Sequence, residues 1–390
     1  MIYLIILFLL LILSSRFDFK TNYRPRIHNF WVKVVFIILV LLAGLRYKVG
    51  GDTFAYMKYF DEDIRPLNQL TLETFRKVAW NPFWVILSSL SKFIYNDFFV
   101  FQLIHACIIN TIIFWFIKKY SKSIFTSITI YFFFFYLYFN TEVLRESLAV
   151  CIFLLSYPAL SSKSYLKYYT YCFVALMFHS SAFILFFLPF FSIIKFNKAG
   201  VIFMFPLLAF IFYFQSEISL FFLSDFEFQK FSLYSEITSN INGVIVNSII
   251  FVIGPYVLLK RYLKYTTSNP MFSNLYVAYF FFAVIIVFIP GFNRFLNYFI
   301  PFMSILFAEI IFTIRKRQRF QNMRLLVLAP LILIVCAPKI FFYFQDTSNY
   351  YPDTHRYNLW HPYYSIFTKK EYYSREPLYL ESVNAANSKQ

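Results

Sequence analysis

In the stretch Gly44-Leu45-Arg46-Tyr47-Lys48-Val49-Gly50-Gly51-Asp52-Thr53-Phe54-Ala55-Tyr56, an arginine, a glycine pair and an aspartate arrive directly after an apolar run over 31–45. An arginine is costly in hydrocarbon and acceptable at the membrane interface, where it can meet an anion. Gly50-Gly51 lets the backbone turn sharply and approach a ligand closely. Asp52 can orient a nearby cation or accept a proton. The plainer alternative is a snorkelling arginine at an ordinary helix end, paired with Asp52.

Three later stretches carry similar groups. In Asn140-Thr141-Glu142-Val143-Leu144-Arg145-Glu146 the spacings of three and four put Glu142, Arg145 and Glu146 on one helical face. Glu146 would then hold Arg145 in place, and Glu142 or Asp52 would accept a proton from a hydroxyl. His179, before Ser180-Ser181, is a second candidate base because an unperturbed imidazole titrates near neutrality; the alternative is a packed, hydrogen-bonded turn residue. Arg294 follows Gly291-Phe292-Asn293 at the start of an aromatic run. Guanidinium groups offer planar forks of donors suited to phosphate. Read singly, Arg46, Arg145 and Arg294 pair with local groups. Read together with His179, they favour an anionic lipid head group.

These residues need elements to position them. Of 390 residues, 60% are hydrophobic, 24% aromatic and only 14% charged, where a soluble domain carries roughly 25% charged residues. The composition is that of an all-α, polytopic membrane protein. The formal net charge of +17 sits in short loops between apolar runs, which is a topological bias and not a groove for nucleic acid. Cys107, Cys151, Cys172 and Cys336 all fall inside apolar segments, so no disulfide framework is indicated. Five scattered histidines and no C-x-x-C give no metal site, and no cofactor is expected.

A span needs about 20 residues, fewer where its ends are ragged. The apolar runs are 2–13, 31–45, 82–95, 98–117, 123–139, 147–160, 169–194, 200–215, 243–259, 271–290, 295–314 and 325–344, which predicts about 10–12 transmembrane or re-entrant helices by the span length. They are helices despite their Phe, Tyr and Ile, because isolated strands cannot satisfy their backbone in lipid. The run 2–13 lacks a basic start and a cleavage site, so it reads as a first span. The chain is one membrane domain over 1–345 with a polar, aromatic tail over 346–390. Loops at Lys118/Lys119/Lys122, Lys163/Lys167, Lys195/Lys198, Lys260/Arg261/Lys264 and Arg315/Lys316/Arg317/Arg319/Arg324 hold no acidic residue and belong in the cytoplasm. The acidic segment 216–242 and the charge-balanced tail belong outside. The run 169–194, flanked by two inside loops, is then a hairpin with His179-Ser180-Ser181 at its tip, or else a single tilted span. The short run 82–95 lies at the interface or re-enters if Arg46 is outside, and crosses if Arg46 is inside. The first choice keeps Arg16, Lys20, Arg24 and Arg26 in the cytoplasm and collects Arg46, Asp52, Glu142, Arg145, His179 and Arg294 at outer span ends.

The four stretches together resemble the EpsG family, related to Wzy-type polysaccharide polymerases. Its R-Y-x-V-G-x-D-x-x-x-Y pattern is matched by Arg46, Tyr47, Val49, Gly50, Asp52 and Tyr56, with Gly51 beside them. A later N-x-x-x-R-x-x-x-A pattern is matched by Asn140 or its neighbours, Arg145 and Ala149, with Glu146 where the family commonly has an amide. His179-Ser180-Ser181-Ala182 and Arg294 to Phe299 match two shorter features. The resemblance implies a GT-C-like membrane glycosyltransferase of the bacterial cytoplasmic membrane. Its substrate would be an oligosaccharide repeat unit on undecaprenyl pyrophosphate, polymerised into O-antigen, capsule or exopolysaccharide on the outer face. It implies pyrophosphate binding by Arg46, Arg145 and Arg294, and acceptor activation by Asp52, Glu142 or His179. Tyr47, Gly50, Gly51, Tyr56 and Glu146 would support them. A flippase and a chain-length regulator are the implied partners besides the bilayer. A lipid-linked glycan ligase and a flippase of the same lipid are the rival readings.

Overall fold

Apolar runs flanked by Pro at the first helical turn and by polar breaks dictate helices, and helices are what a computed structural model of the chain contains. It describes residues 2–19, 24–77, 81–194, 241–266, 270–289, 292–316, 355–373 and 375–377, with single positions at 196, 213, 332 and 335. The expected spans 200–215 and 325–344, and the acidic segment 216–242, lie outside the described residues except at single positions. Among the described residues no strand occurs; one isolated bridge joins Arg46 to Ser365. In chain order the first helices are α1 (Ile2–Leu13), α2 (Pro25–Gly44), α3 (Thr53–Glu62), α4 (Leu72–Lys77), α5 (Pro82–Ile94), α6 (Phe98–Tyr120), α7 (Ile124–Tyr131), α8 (Leu144–Ser161), α9 (Tyr165–Leu176) and α10 (Leu188–Ile193). Among the described residues four helical stretches, Pro25–Gly44, Phe98–Tyr120, Leu144–Ser161 and Ile241–Lys264, are long and apolar enough to cross a membrane.

The chain divides into two units, Met1–Cys151 with Met177–His179 and Ala337–Gln390, and Ile152–Leu176 with Ser180–Cys336. In the first unit α2 packs along α6. A Cβ on Gly44 would stand 2.7 Å from the Leu103 side chain and 2.9 Å from its Cα, so only glycine lets the end of α2 come this close. In lipid such close packing replaces the hydrophobic drive that water would supply. Aromatic rings fill the space beside it: Trp84 meets Phe101 at 4.8 Å, and Phe98 stacks on Phe101 at 5.6 Å. Buried polar groups pin α6 to the start of α8 and to the helical stretch just before it. His105 Nε2 donates to Leu144 O at 2.9 Å, and Asn110 Nδ2 donates to Asn140 Oδ1 at 3.1 Å.

α7 runs on as two π-helical stretches, Phe132–Tyr136 and Tyr138–Glu142, which end at Val143. The expected single helical face for Glu142, Arg145 and Glu146 is therefore interrupted. Val143 leaves the helix (φ −94, ψ 54), so Glu142 closes one helix while Arg145 and Glu146 open the next. α5 has 13 residues, about 20 Å at 1.5 Å per residue, too short to cross about 30 Å of hydrocarbon.

In the second unit the run 169–194 is broken. α9 stops at Leu176, a 3-10 helix runs Ser180–Phe187, and α10 follows. The chain doubles back on itself: Tyr168 Oη donates to Leu185 O at 2.7 Å, and Tyr169 stacks on Phe186 at 5.9 Å. Later helices are Gly254–Tyr265, Tyr276–Phe288 and Ile300–Lys316; Phe302 of the last meets Tyr157 of α8 and Phe272 in an aromatic cluster.

Candidate functional site

α2 ends at Gly44, and the chain turns through residues 45–52 into α3. The turn needs unusual backbone: Lys48 has φ 48 and Gly50 has φ 122. A Cβ on Gly50 would stand 2.7 Å from Thr141 Cβ and 2.7 Å from Thr53 Oγ1. A Cβ on Gly51 would make ordinary contact, 3.6 Å, with Glu142 Cγ. Two stretches about 90 residues apart in sequence are thus brought face to face, and Gly50 is what permits it.

Arg46 is only 2% exposed. It does not pair with Asp52. Its Nε donates to Val49 O at 3.1 Å and its Nη1 to Ala43 O, carbonyls that the end of α2 and the turn leave over. Its Nη2 is buried without a protein partner. Burial lowers the guanidinium to about 10, so it is charged at neutral pH. The phenols of Tyr136, Tyr363 and Tyr3 interact with it electrostatically.

The turn is covered by the C-terminal segment 355–377. Tyr47 N donates to Tyr364 O at 2.9 Å, Gly50 N to Leu359 O at 2.9 Å, and Ile366 N to Leu45 O at 3.0 Å. Trp360 Nε1 donates to Thr141 Oγ1 at 3.0 Å, and Tyr363 Oη to Leu42 O at 3.1 Å. Arg375 fastens this cover. Fully buried, it donates from Nε to Asn358 O at 2.8 Å, from Nη1 to Lys48 O at 3.2 Å and from Nη2 to Pro362 O. At the rim, Lys48 Nζ pairs with Glu371 at 2.7 Å.

The other expected groups sit as follows. Asp52 is exposed and its carbonyl starts α3, accepting from Tyr56 N at 3.1 Å. Tyr56 is buried against Trp84 at 5.4 Å. Glu142 and Glu146 are buried, the latter in the first turn of α8, where a carboxylate meets the positive end of the helix dipole. Arg145 is half-buried and reaches Asn81 Oδ1 at 3.5 Å. Just beyond Asn81, Phe83 N donates to Met177 O at 3.0 Å and the Phe83 ring meets Phe178 at 5.6 Å. This tether holds the break in which His179, 3% exposed, is buried. Arg46, Asp52, Glu142, Arg145, Glu146 and His179 all belong to the first unit. Arg294 belongs to the second, where it is exposed on the short helix Asn293–Asn297.

Beside Arg46 lies a cavity of ≈ 140 Å³ lined by Tyr47, Lys48, Tyr95, Asp97, Gln102 and Lys369, among others. Gln102 had a signal in the sequence that spacing alone did not raise: it is an amide inside the apolar run 98–117, and polar groups within spans mark function. Arg375 had none, since it stands in a tail with as many acids as bases. Among the described residues no cluster of His, Cys, Asp and Glu suits a metal ion.

These features define a polytopic, all-helical membrane protein with an arginine-centred turn closed by its own C-terminal segment. A family model for the EpsG family matches residues 29–365, and the chain belongs to that family. No curated protein and no solved structure matches it. Membership points to a role as a polysaccharide polymerase.

Proposed function

We propose that the protein polymerises oligosaccharide repeat units carried on a polyprenyl diphosphate, on the extracytoplasmic face of the bacterial cytoplasmic membrane, within a GT-C-like helical scaffold. A hydroxyl oxygen on the terminal sugar of one lipid-linked unit attacks the anomeric carbon of the growing glycan. The bond from that carbon to the diphosphate breaks, lipid diphosphate leaves, and the hydroxyl proton passes to a carboxylate or imidazole. Asp52, Glu142 or His179 takes that proton. Arg46 and Arg145 hold the diphosphates, with Tyr47, Gly50, Gly51, Tyr56 and Glu146 shaping the site. Fixed cations in a dry site stabilise the leaving charge; the glycosyl–diphosphate bond that breaks supplies the driving force, so neither a nucleotide sugar nor a cytoplasmic energy source is required. A flippase would supply the units and a chain-length regulator would set where growth stops.

The observation that carries this reading is the meeting of the Arg46 turn with Glu142 across Gly51, with one guanidinium nitrogen of Arg46 unpartnered inside the protein. A buried charge that the fold does not satisfy is expensive and is most simply retained for a ligand. Deleting the gene should leave single repeat units on lipid and remove the long-chain ladder on a gel. A ladder unchanged in the deletion strain, with no second polymerase present, overturns the reading.

A further inference from the structure

Two lysines line the ≈ 140 Å³ cavity beside Arg46: Lys48 from the turn after α2, and Lys369 from the C-terminal segment. Both belong to the first unit. With Arg46 they set three cations against one carboxylate, Asp97, whose Oδ1 already accepts from Phe99 N at 3.2 Å. The two lysines share a second property. Four non-glycine residues among those described have positive φ, and Lys48 (φ 48) and Lys369 (φ 44) are two of them. A left-handed backbone is costly for a residue with a Cβ and persists where its surroundings fix it, often beside a ligand. Both positions are fixed here. Arg375 Nη1 donates to Lys48 O at 3.2 Å, and Lys369 N donates to Ser365 O at 3.0 Å. A held backbone thus roots two long, flexible ammonium side chains at one cavity.

Unlike Arg46, which is 2% exposed, both lysines have surface to offer a ligand. Lys48 Nζ meets Glu371 Oε2 at 2.7 Å with side chains 21% and 32% exposed, so water reaches the pair and holds its strength down. Lys369 is exposed and pairs with no carboxylate among the described residues. Glu371 therefore gives Lys48 the kind of oxygen that a phosphate would give it, two residues along the chain from Lys369. We propose that Lys48 and Lys369 are diphosphate-binding residues at the mouth of this cavity, and that Glu371 is a counter-ion which Lys48 exchanges for the incoming phosphate. Ammonium groups are compact charges with three donors each, and a diphosphate offers only acceptors to them. The inference rests on the polymerase reading for the source of the diphosphate, a lipid-linked glycan. It adds two cations to that reading and gives the C-terminal segment a part in binding substrate. Lys369 and Glu371 lie beyond residues 29–365, so the family pattern does not assign them.

The test uses the full chain in phosphatidylcholine nanodiscs at physiological salt, titrated calorimetrically with inorganic pyrophosphate and with geranyl diphosphate. Both should bind the wild type. Lys369→Gln and Lys48→Gln should each weaken them by about tenfold, the effect of one lost charge-assisted hydrogen bond. Glu371→Gln should tighten them by up to about fivefold, since it frees Lys48 from a surface pair. That opposite sign separates ligand exchange from scaffolding, because a merely structural ion pair is broken equally from either side. Lys370→Gln removes a neighbouring exposed cation that does not line the cavity and should change binding by less than about twofold under screening. Lys369→Gln should keep the wild-type Tm, as expected for an exposed side chain without a partner. Failure of both diphosphates to bind, a loss in Lys370→Gln equal to that in Lys369→Gln, or weakening by Glu371→Gln overturns the proposal. So does displacement of pyrophosphate by soluble dihexanoylphosphatidylglycerol as readily as by geranyl diphosphate, which would give the cations to a phospholipid head group. The two readings fail separately. An intact ladder in the deletion strain removes the polymerase while Lys369-dependent diphosphate binding stands, and a lost ladder with no effect of Lys369→Gln does the reverse.

Discussion

Arg46 uses one guanidinium for two purposes. Two of its nitrogens close the carbonyls of Ala43 and Val49, and the third faces no protein partner. Lysine cannot divide itself in this way, because a point charge lacks the planar fork. Arg46→Lys and Arg145→Lys should each lower chain growth by about 10²–10³-fold, the usual effect of removing a donor aimed at developing charge, as read from repeat-unit incorporation by membranes with matched protein levels. The glycine pair separates just as sharply. Gly50 carries φ 122 and has no room for a Cβ, whereas Gly51 has ordinary contact distances. Gly50→Ala should destabilise the protein by about 1–3 kcal/mol through backbone strain, seen as a lower Tm in detergent, while Gly51→Ala should leave Tm nearly unchanged. Arg46 was legible in the sequence because an arginine at the end of an apolar run is conspicuous. The distinction between Gly50 and Gly51 was not, since it depends on Thr141 arriving from far along the chain.

The element that matters most is the C-terminal segment 355–377. Sequence marks it as a polar tail, because its aromatic residues have no helical or strand period and its charges balance. Its order comes from backbone bonds to the turn at 45–50 and from Arg375, none of which composition encodes. The Lys48–Glu371 pair, with side chains 21% and 32% exposed, contributes at most about 1 kcal/mol. Arg375 is different: its side chain is buried and donates to three carbonyls, one of them at a buried residue, where an unmade bond costs about 1–3 kcal/mol. Burial lowers its guanidinium to about 10, so it keeps its charge at neutral pH. Arg375→Ala should expose segment 355–377 to limited proteolysis and lower chain growth, and Arg375→Lys should restore little. Glu371→Gln should leave the protease pattern as it is. The break at Met177–His179 is the other element beyond simple hydropathy: the run 169–194 suggested a return of the chain, and the Tyr168–Leu185 bond is such a return.

For the whole molecule, the helical class was legible from composition, since 60% hydrophobic residues in long runs leave little alternative. The runs 98–117 and 147–160 became α6 and α8 with small shifts at their ends. What composition could not supply were the π-helical stretches after α7, since the apolar run 123–139 announces a helix but not its hydrogen-bond period, and helix α3, which has no apolar run of its own to announce it. Handedness of insertion rests on loop charge and is open to direct measurement. Single cysteines introduced near residues 52 and 180 in a cysteine-free background should react with a membrane-impermeant maleimide from outside intact cells. Residues near 118 and 163 should react only after permeabilisation. Protection from outside at both 52 and 180 would remove the extracytoplasmic site.

The turn after α2 donates from Tyr47 and Gly50, and accepts at Leu45 and Lys48, hydrogen bonds shared with partners between residues 359 and 375. Synthesis delivers those partners long after the turn itself. While the ribosome is still extending the chain, the motif near its beginning has nothing to close against, and the guanidinium of Arg46 waits uncovered at the membrane edge. A nascent polypeptide stalled short of residue 375 should therefore reside in the membrane with its early helices inserted and the turn after α2 still uncovered.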